Sequence, residues 1–122
     1  MAGEAKVNET FGPTIAEWLV KASPGKQKRL AFLRDCLGIE PHSALRYQLL
    51  HRTVAAVQEA RRFGMAEAAM VVQSFSPDNR WFEDFEAFAM QFGHEVRPGV
   101  AVRHILPEGM PLTLGWASCA QP

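Results

Sequence analysis

Apolar residues recur at helical spacing in three long stretches of the chain, residues 24–37, 43–63 and 81–92. In the first stretch they form one face, made of Leu30, Leu33 and Leu37. The third stretch is strongly aromatic, with rings at positions 81, 82, 85, 88 and 92. We therefore predict three helices, each of which turns an apolar face towards a common core.

Capping residues mark where several of these helices begin and end. Thr14 is followed three residues later by Glu17, which is the spacing of a capping box and predicts a further short helix. Ser23 before Pro24 is a typical helix start, because proline is tolerated at the first helical position. Gly38 then predicts the end of the same helix, since glycine readily adopts the left-handed C-cap conformation.

Four short segments predict strands, at residues 3–7, 68–75, 100–106 and 112–116. The second run carries so few charges that we predict a central strand, buried on both faces. The last two flank a proline- and glycine-containing turn, which predicts an antiparallel hairpin. A long helical connection separates the first two strands, so we expect them to pair in parallel through a right-handed crossover.

This order of elements predicts an α/β or α+β protein, a small mixed sheet with helices packed on it. The 122 residues fit one domain, residues 1–122, with one core. Thirteen Lys and Arg residues balance thirteen Asp and Glu residues, which argues against a strongly basic DNA-coating protein and leaves room for a local basic patch.

Cysteine usage and hydropathy indicate a cytoplasmic protein. Cys36 and Cys119 lie far apart, in no metal-binding or redox motif, and we expect two reduced thiols. The four histidines are too scattered to predict a zinc site. No apolar run approaches the roughly 18 residues that span a bilayer, so no contact with a membrane is expected.

Glu4 and Lys6 are the first candidates for chemistry. In a strand, residues two apart point to the same face. A carboxylate such as Glu4 can bind Mg²⁺ through oxygen, and a lysine beside it can stabilise a phosphorane-like transition state. Together they would suit metal-assisted cleavage of a phosphodiester. The alternative is a surface strand with alternating charges.

Two further polar groups stand in otherwise apolar patterns. Gln48, His51 and Arg52 are three or four residues apart on the long helix and share a face that could reach a phosphate. The alternative is a solvated helix face. Gln73 interrupts an apolar strand, where an amide needs a partner or faces a site, and it would lie near Lys6 if the two strands are adjacent.

A basic cluster lies on the second helix and the segment that leads into it. Contact with phosphates is one interpretation of these side chains, and a solvated face is the other. The cluster consists of Lys21, Lys26, Lys28, Arg29 and Arg34.

Several segments resemble an uncharacterised bacterial family that is related to the PD-(D/E)xK, or restriction-endonuclease-like, nucleases. They are Glu4-Ala5-Lys6-Val7, Phe11-Gly12-Pro13-Thr14, Leu45-Arg46-Tyr47-Gln48-Leu49-Leu50-His51-Arg52-Thr53 and Gln73-Ser74-Phe75-Ser76-Pro77. The resemblance implies a restriction-endonuclease-like core that lacks its first strands. It also implies Glu4 as a Mg²⁺ ligand, with Lys6 and Gln73 as further catalytic residues.

The acidic residue of the preceding strand in those nucleases has no counterpart before Glu4. We therefore expect an incomplete, non-catalytic interaction or structural module. A Mg²⁺-dependent nuclease that uses Glu4 and Lys6 is the alternative. The expected partners are a second copy or another chain, paired through the strand at residues 3–7, and a nucleic acid bound by Gln48, His51 and Arg52.

Overall fold

A computed structural model of the chain describes residues 11–20, 23–75 and 78–119. The predicted first strand, residues 3–7, lies outside the described residues, and so does its expected pairing with the strand that follows the long helix. Seven elements are described, in this order: α1 (Ile15–Trp18), α2 (Pro24–Leu37), α3 (Tyr47–Arg62), β1 (Ala68–Ser74), α4 (Phe82–Met90), β2 (Val102–Ile105) and β3 (Pro111–Ser118).

A mixed three-stranded sheet confirms the predicted fold class. Its strand order is β1-β3-β2, with β3 parallel to β1 and antiparallel to β2. The β2–β3 pair is the predicted terminal hairpin, closed where the Leu106 amide donates to the Met110 carbonyl at 2.9 Å. Because α4 and β2 separate β1 from β3 in sequence, the parallel pairing is a long-range contact.

One continuous apolar core joins the helices to one face of the sheet. The face is formed by alternate residues of β1 and β3, and Val72 lies opposite Trp116 across the pair. α3 packs against β1 and α2, and α4 packs against β3. The largest fully buried side chains of the core are those of Trp116, Phe11, Phe85, Phe88, Leu37, Leu49 and Leu50.

The prediction that residues 68–75 form a strand buried on both faces is wrong. Burial alternates along β1, with Met70 and Val72 fully buried and Ala69 exposed. Among the described strands, β3 is the central one. The prediction failed because alanine and valine also occupy the more open face of β1. Small apolar side chains on that face expose little apolar surface to water.

Helix starts and ends follow the predicted capping residues in α1 and α2. Thr14 and Glu17 form both hydrogen bonds of the capping box. Ser23 accepts a hydrogen bond from the Lys26 amide at 3.2 Å, and Gly38 ends α2 in the left-handed conformation with φ +70°. Pro24 stands at the first helical position, as expected.

Two predicted helices are shorter than expected. α3 begins at Tyr47 because Arg46 is extended and forms a backbone bridge with Thr14, which holds the preceding residues in a turn. α4 begins at Phe82 because Trp81 adopts a left-handed conformation, φ +70°, that a helix cannot continue through. Both boundaries are set by contacts distant in sequence, which helical spacing does not reveal.

Candidate functional site

A groove between α2 and α3, bordered by Trp18 of α1, gathers polar and basic side chains from the first turns of both helices. We call it the α2–α3 groove. Its polar end encloses about 520 Å³ and includes Gln48 and His51, two of the three predicted nucleic-acid-binding residues. The other residues that line this end are Trp18, Ser23, Gly25, Lys26, Arg29 and Tyr47.

A stack of three side chains forms one wall of the polar end. The rings of Trp18 and Tyr47 lie 3.9 Å apart and nearly parallel. The Lys26 ammonium sits 5.2 Å from the centroid of the Trp18 ring and donates a 2.9 Å hydrogen bond to the Trp18 carbonyl. These contacts fix the position of a charged group that a surface lysine would otherwise leave mobile.

The start of α2 opens onto the same space. Ser23 occupies the N-cap, and Gly25, in the first turn, lines the groove without a side chain of its own. The N-terminal end of a helix carries partial positive charge, which adds to that of the lysine and arginine side chains around it.

The groove continues along α2 into a more apolar end of about 490 Å³. Gly25, Arg29 and His51 line both ends, so the two are continuous. The apolar end adds Lys28, Phe32, Leu33, Val54, Ala55 and Gln58.

The charge of the α2–α3 groove is positive along its whole length. None of the residues that line its two ends is an aspartate or glutamate. Lys28 and Arg29 are exposed and make no ion pair within the described part of the chain. In a chain with no net charge, this local excess marks a surface suited to anions.

Gln48 lies at the inner edge of the groove, against the turn at Gly12. A Cβ atom built on Gly12 would lie 2.9 Å from Nε2 of Gln48. His51 is exposed, and its ring centroid is 5.9 Å from that of Tyr47. Arg52 is half-buried and does not line the groove, so the predicted common face holds for Gln48 and His51 and does not extend to Arg52.

The predicted metal-dependent site lies mostly outside the described residues. Glu4 and Lys6 both lie outside the described residues. Gln73 lies half-buried near the carboxyl end of β1, opposite Ala117 of β3. Within residues 11–20, 23–75 and 78–119, no group of three or more His, Cys, Asp and Glu side chains could hold a metal ion.

The loop beyond β1 is fastened to the end of β3 by one side chain. Asn79, in the left-handed region with φ +51°, accepts hydrogen bonds at Oδ1 from the Trp116 indole, at 3.0 Å, and from the Ser118 hydroxyl. Trp116 is only 1% exposed, so its N–H depends on this acceptor. Asn79 therefore closes the carboxyl end of the β1–β3 pair.

Two free thiols and a pair of neighbouring histidines lie outside the lining of the α2–α3 groove. Cys36 and Cys119 are free thiols, as predicted, and burial raises the pKa of the Cys36 thiol, which disfavours the reactive thiolate. His94 and His104, distant in sequence, meet with their ring nitrogens 3.4 Å apart. Burial lowers the pKa of His104, and the charge of His94 lowers it further.

Comparison with known protein families identifies the chain. A family model described as a domain of unknown function, DUF6946, matches residues 1–121. The chain belongs to this family. The DUF6946 domain thus includes the α2–α3 groove and every element described above. No curated protein and no solved structure gives a significant match to the chain. In the described part of this DUF6946 domain, no helix is long and apolar enough to cross a membrane.

The groove was partly visible in the sequence of the DUF6946 domain. The basic cluster and the polar face of the long helix were each apparent, but nothing in the pattern placed them opposite one another. The contact between Trp18 and Lys26 joins α1 to α2 and is not predicted by the apolar pattern of either helix. The available signal was the spacing of Gly25, Lys28, Arg29 and Phe32, which fall on one face of α2 at helical intervals.

Proposed function

We propose that this chain is a non-catalytic nucleic-acid-binding module, and that the α2–α3 groove holds the phosphate backbone. The observation that carries the proposal is the set of three basic side chains, Lys26, Lys28 and Arg29, around a groove whose lining includes no carboxylate. Phosphate contacts of this kind provide most of the affinity of a nucleic-acid-binding protein.

Four of the lining residues have a definite part in this proposal. Lys26 is held in place by Trp18 and offers a fixed ammonium to a phosphate. Arg29 lies between the two ends of the groove, where its planar guanidinium can donate two hydrogen bonds to one phosphate. Gln48 and His51 supply neutral polar groups on the opposite wall, which suit a sugar or a base edge.

The test is a binding titration with a fluorescein-labelled DNA oligonucleotide of about 16 nucleotides, followed by fluorescence anisotropy at low salt. Arg29→Glu should weaken binding at least about tenfold, because one attractive phosphate contact becomes repulsive. Arg97→Glu is the matched control, since Arg97 is also exposed, makes no ion pair within the described residues and does not line the groove. It should change the affinity less than about twofold.

The salt dependence gives a second measure of the same contacts. Three phosphate contacts with a single strand predict a slope of about −2 for log affinity against log salt concentration, and Arg29→Glu should make that slope shallower by about 0.7. Absence of binding at about 50 mM salt, or equal losses for Arg29→Glu and Arg97→Glu, would reject the proposal. Circular dichroism of each variant excludes unfolding as the cause.

The resemblance to restriction-endonuclease-like proteins supports a second candidate, a Mg²⁺-dependent nuclease. In it, Glu4 would bind the metal, Lys6 would stabilise the transition state, and Gln73 would complete the site from β1. Gln73 lies near the carboxyl end of a parallel strand, and this position favours the nuclease candidate. In proteins with open α/β sheets, ligands bind beyond the carboxyl ends of the strands. Cleavage of DNA or RNA with Mg²⁺ that Lys6→Ala abolishes would establish the nuclease, and no cleavage would favour the binding module.

A further inference from the structure

Phe32 is exposed inside the α2–α3 groove, next to its basic residues. Its side chain is 54% exposed and lies in the apolar end, beside Leu33, Val54 and Ala55. Arg29 is three residues earlier on the same face of α2, about 4.5 Å along the helix axis. A phosphate-binding group and an open aromatic ring are therefore neighbours on one surface.

This pairing matches the covalent layout of one nucleotide, in which a sugar joins a phosphate to a flat, apolar base. A phosphate held by Arg29 would leave its base within reach of the Phe32 ring. In a duplex the bases are paired and stacked within the helix, so only phosphates and groove edges reach a protein surface of this kind. A single strand exposes both its phosphates and its base faces.

We infer that the α2–α3 groove binds single-stranded nucleic acid, with phosphates on Lys26 and Arg29 and a base stacked on Phe32. This inference rests on the function proposed above and specifies its ligand. Charge complementarity selects a polyanion, and the adjacent exposed aromatic ring selects one with accessible planar groups. Stacking on an aromatic ring tolerates any base, so little dependence on nucleotide sequence is expected.

The experiment compares one labelled DNA oligonucleotide as a single strand and as a duplex, using the full chain. The single strand should bind at least about tenfold more tightly. Phe32→Ala should lower single-strand affinity about fivefold or more, in line with the measured loss of one stacked base, and should leave duplex affinity unchanged. Phe63→Ala is the matched control, because Phe63, the residue that follows α3, is 66% exposed but does not line the groove, and it should change neither affinity.

A Phe32→Trp variant tests the stacking itself. Tryptophan keeps an aromatic face, so affinity for the single strand should be retained, and its fluorescence should be quenched as a base stacks on it. Trp18, Trp81 and Trp116 contribute a background that the unsubstituted protein measures in a parallel titration.

The outcomes separate this inference from the function on which it rests. If Arg29→Glu weakens binding but Phe32→Ala does not, or if duplex binds as tightly as single strand, the inference is wrong and the nucleic-acid-binding module stands. If Arg29→Glu has no effect on either form of DNA, both fail. Binding to phosphatidylserine vesicles that depends on Arg29, without binding to DNA, would also overturn both and indicate a lipid surface as the ligand.

Discussion

Gly38 lies directly against Pro107, so that the end of α2 touches the turn between β2 and β3. A Cβ atom built on Gly38 would be 2.4 Å from Cγ and 3.0 Å from Cδ of the proline ring. Gly38 also has φ +70°, a conformation that residues with a Cβ rarely adopt. Two independent constraints, backbone conformation and a close neighbour, thus require glycine at this position.

Gly38→Ala should destabilise the fold more than the same change at Gly64. Gly64 follows α3 with φ +65°, but a Cβ built on it meets no atom within 4 Å. Gly64→Ala therefore carries only backbone strain, about 1 kcal/mol. Gly38→Ala adds the clash with a rigid ring and should cost about 3 kcal/mol in total. Urea unfolding measures both, and equal losses would show that the hairpin turn moves aside without cost.

Substitutions at Asn79 should separate its hydrogen bonds from its backbone conformation. Asn79→Asp keeps the acceptor for Trp116 and should cost less than about 0.5 kcal/mol. Asn79→Gly tolerates the left-handed conformation but leaves the buried indole N–H of Trp116 without this acceptor. It should lower the free energy of unfolding by about 1–3 kcal/mol. Asn79→Ala should lose about 1 kcal/mol more, from strain at φ +51°. Thermal unfolding orders the three variants, and a fully stable Asn79→Gly protein would contradict this account.

Arg46 should couple energetically to Asp84, because its side chain ties α4 to the segment before α1. Nη1 of Arg46 donates to the Gly12 carbonyl at 2.8 Å, while Nε lies 3.4 Å from Oδ2 of Asp84, an ion pair without hydrogen-bond geometry. Both partners are largely shielded from solvent. A double-mutant cycle with Arg46→Met and Asp84→Asn should give a coupling free energy of about 1 kcal/mol.

High salt provides the control for this coupling. An electrostatic contribution should decrease at about 1 M salt, where the screening length is about 3 Å. Additive losses from the two single substitutions would mean that the ion pair with Asp84 contributes nothing measurable and that Arg46 stabilises the fold through its other partners, Gly12 and Glu17.

Acidification should weaken the fold through His104. Its pKa in the folded protein is below its ordinary value, chiefly because of burial, so the unfolded chain binds a proton more readily. This part of the stability is complete above the unfolded pKa of about 6.5 and decreases as the pH falls from there towards the folded value. His104→Gln should flatten the change in unfolding free energy between pH 7.5 and 5.5 relative to the unsubstituted protein.

Gln27→Ala is the control for this pH effect. Gln27 is exposed on α2 and carries no titratable group, so its loss should leave the slope of stability against pH as it is in the unsubstituted protein. If His104→Gln leaves that slope unchanged too, the His104 ring is not the source of the pH dependence.

Much of the fold follows from local pattern, because capping residues and apolar periodicity act over a few positions. Thr14, Ser23 and Gly38 each marked a helix boundary that the structure confirms. The boundaries that were missed depend on distant partners, such as the bridge from Arg46 to Thr14. The same reasoning explains β1, whose alternating burial depends on which helices cover it.

The candidate site was harder to predict, because it exists only where two helices meet. Gln48 and His51 were identified from the polarity of one face, and the structure sets them across a groove from Arg29. Arg52 satisfied the same spacing rule but does not line the groove. Periodicity gives the face on which a residue lies to within about a quarter of a turn, which is too coarse to decide between such neighbours.

The position of β3 between β1 and β2 has a consequence for synthesis of the chain. A ribosome releases the helices and both outer strands first, and none of the described strands can pair before the hairpin turn has emerged. Until β3 has emerged, the aromatic side chains of α4 cannot pack against Trp116. Nascent chains that stall ahead of residue 111 should therefore expose this surface to chaperones, and release of the last strand should trigger folding in one cooperative step.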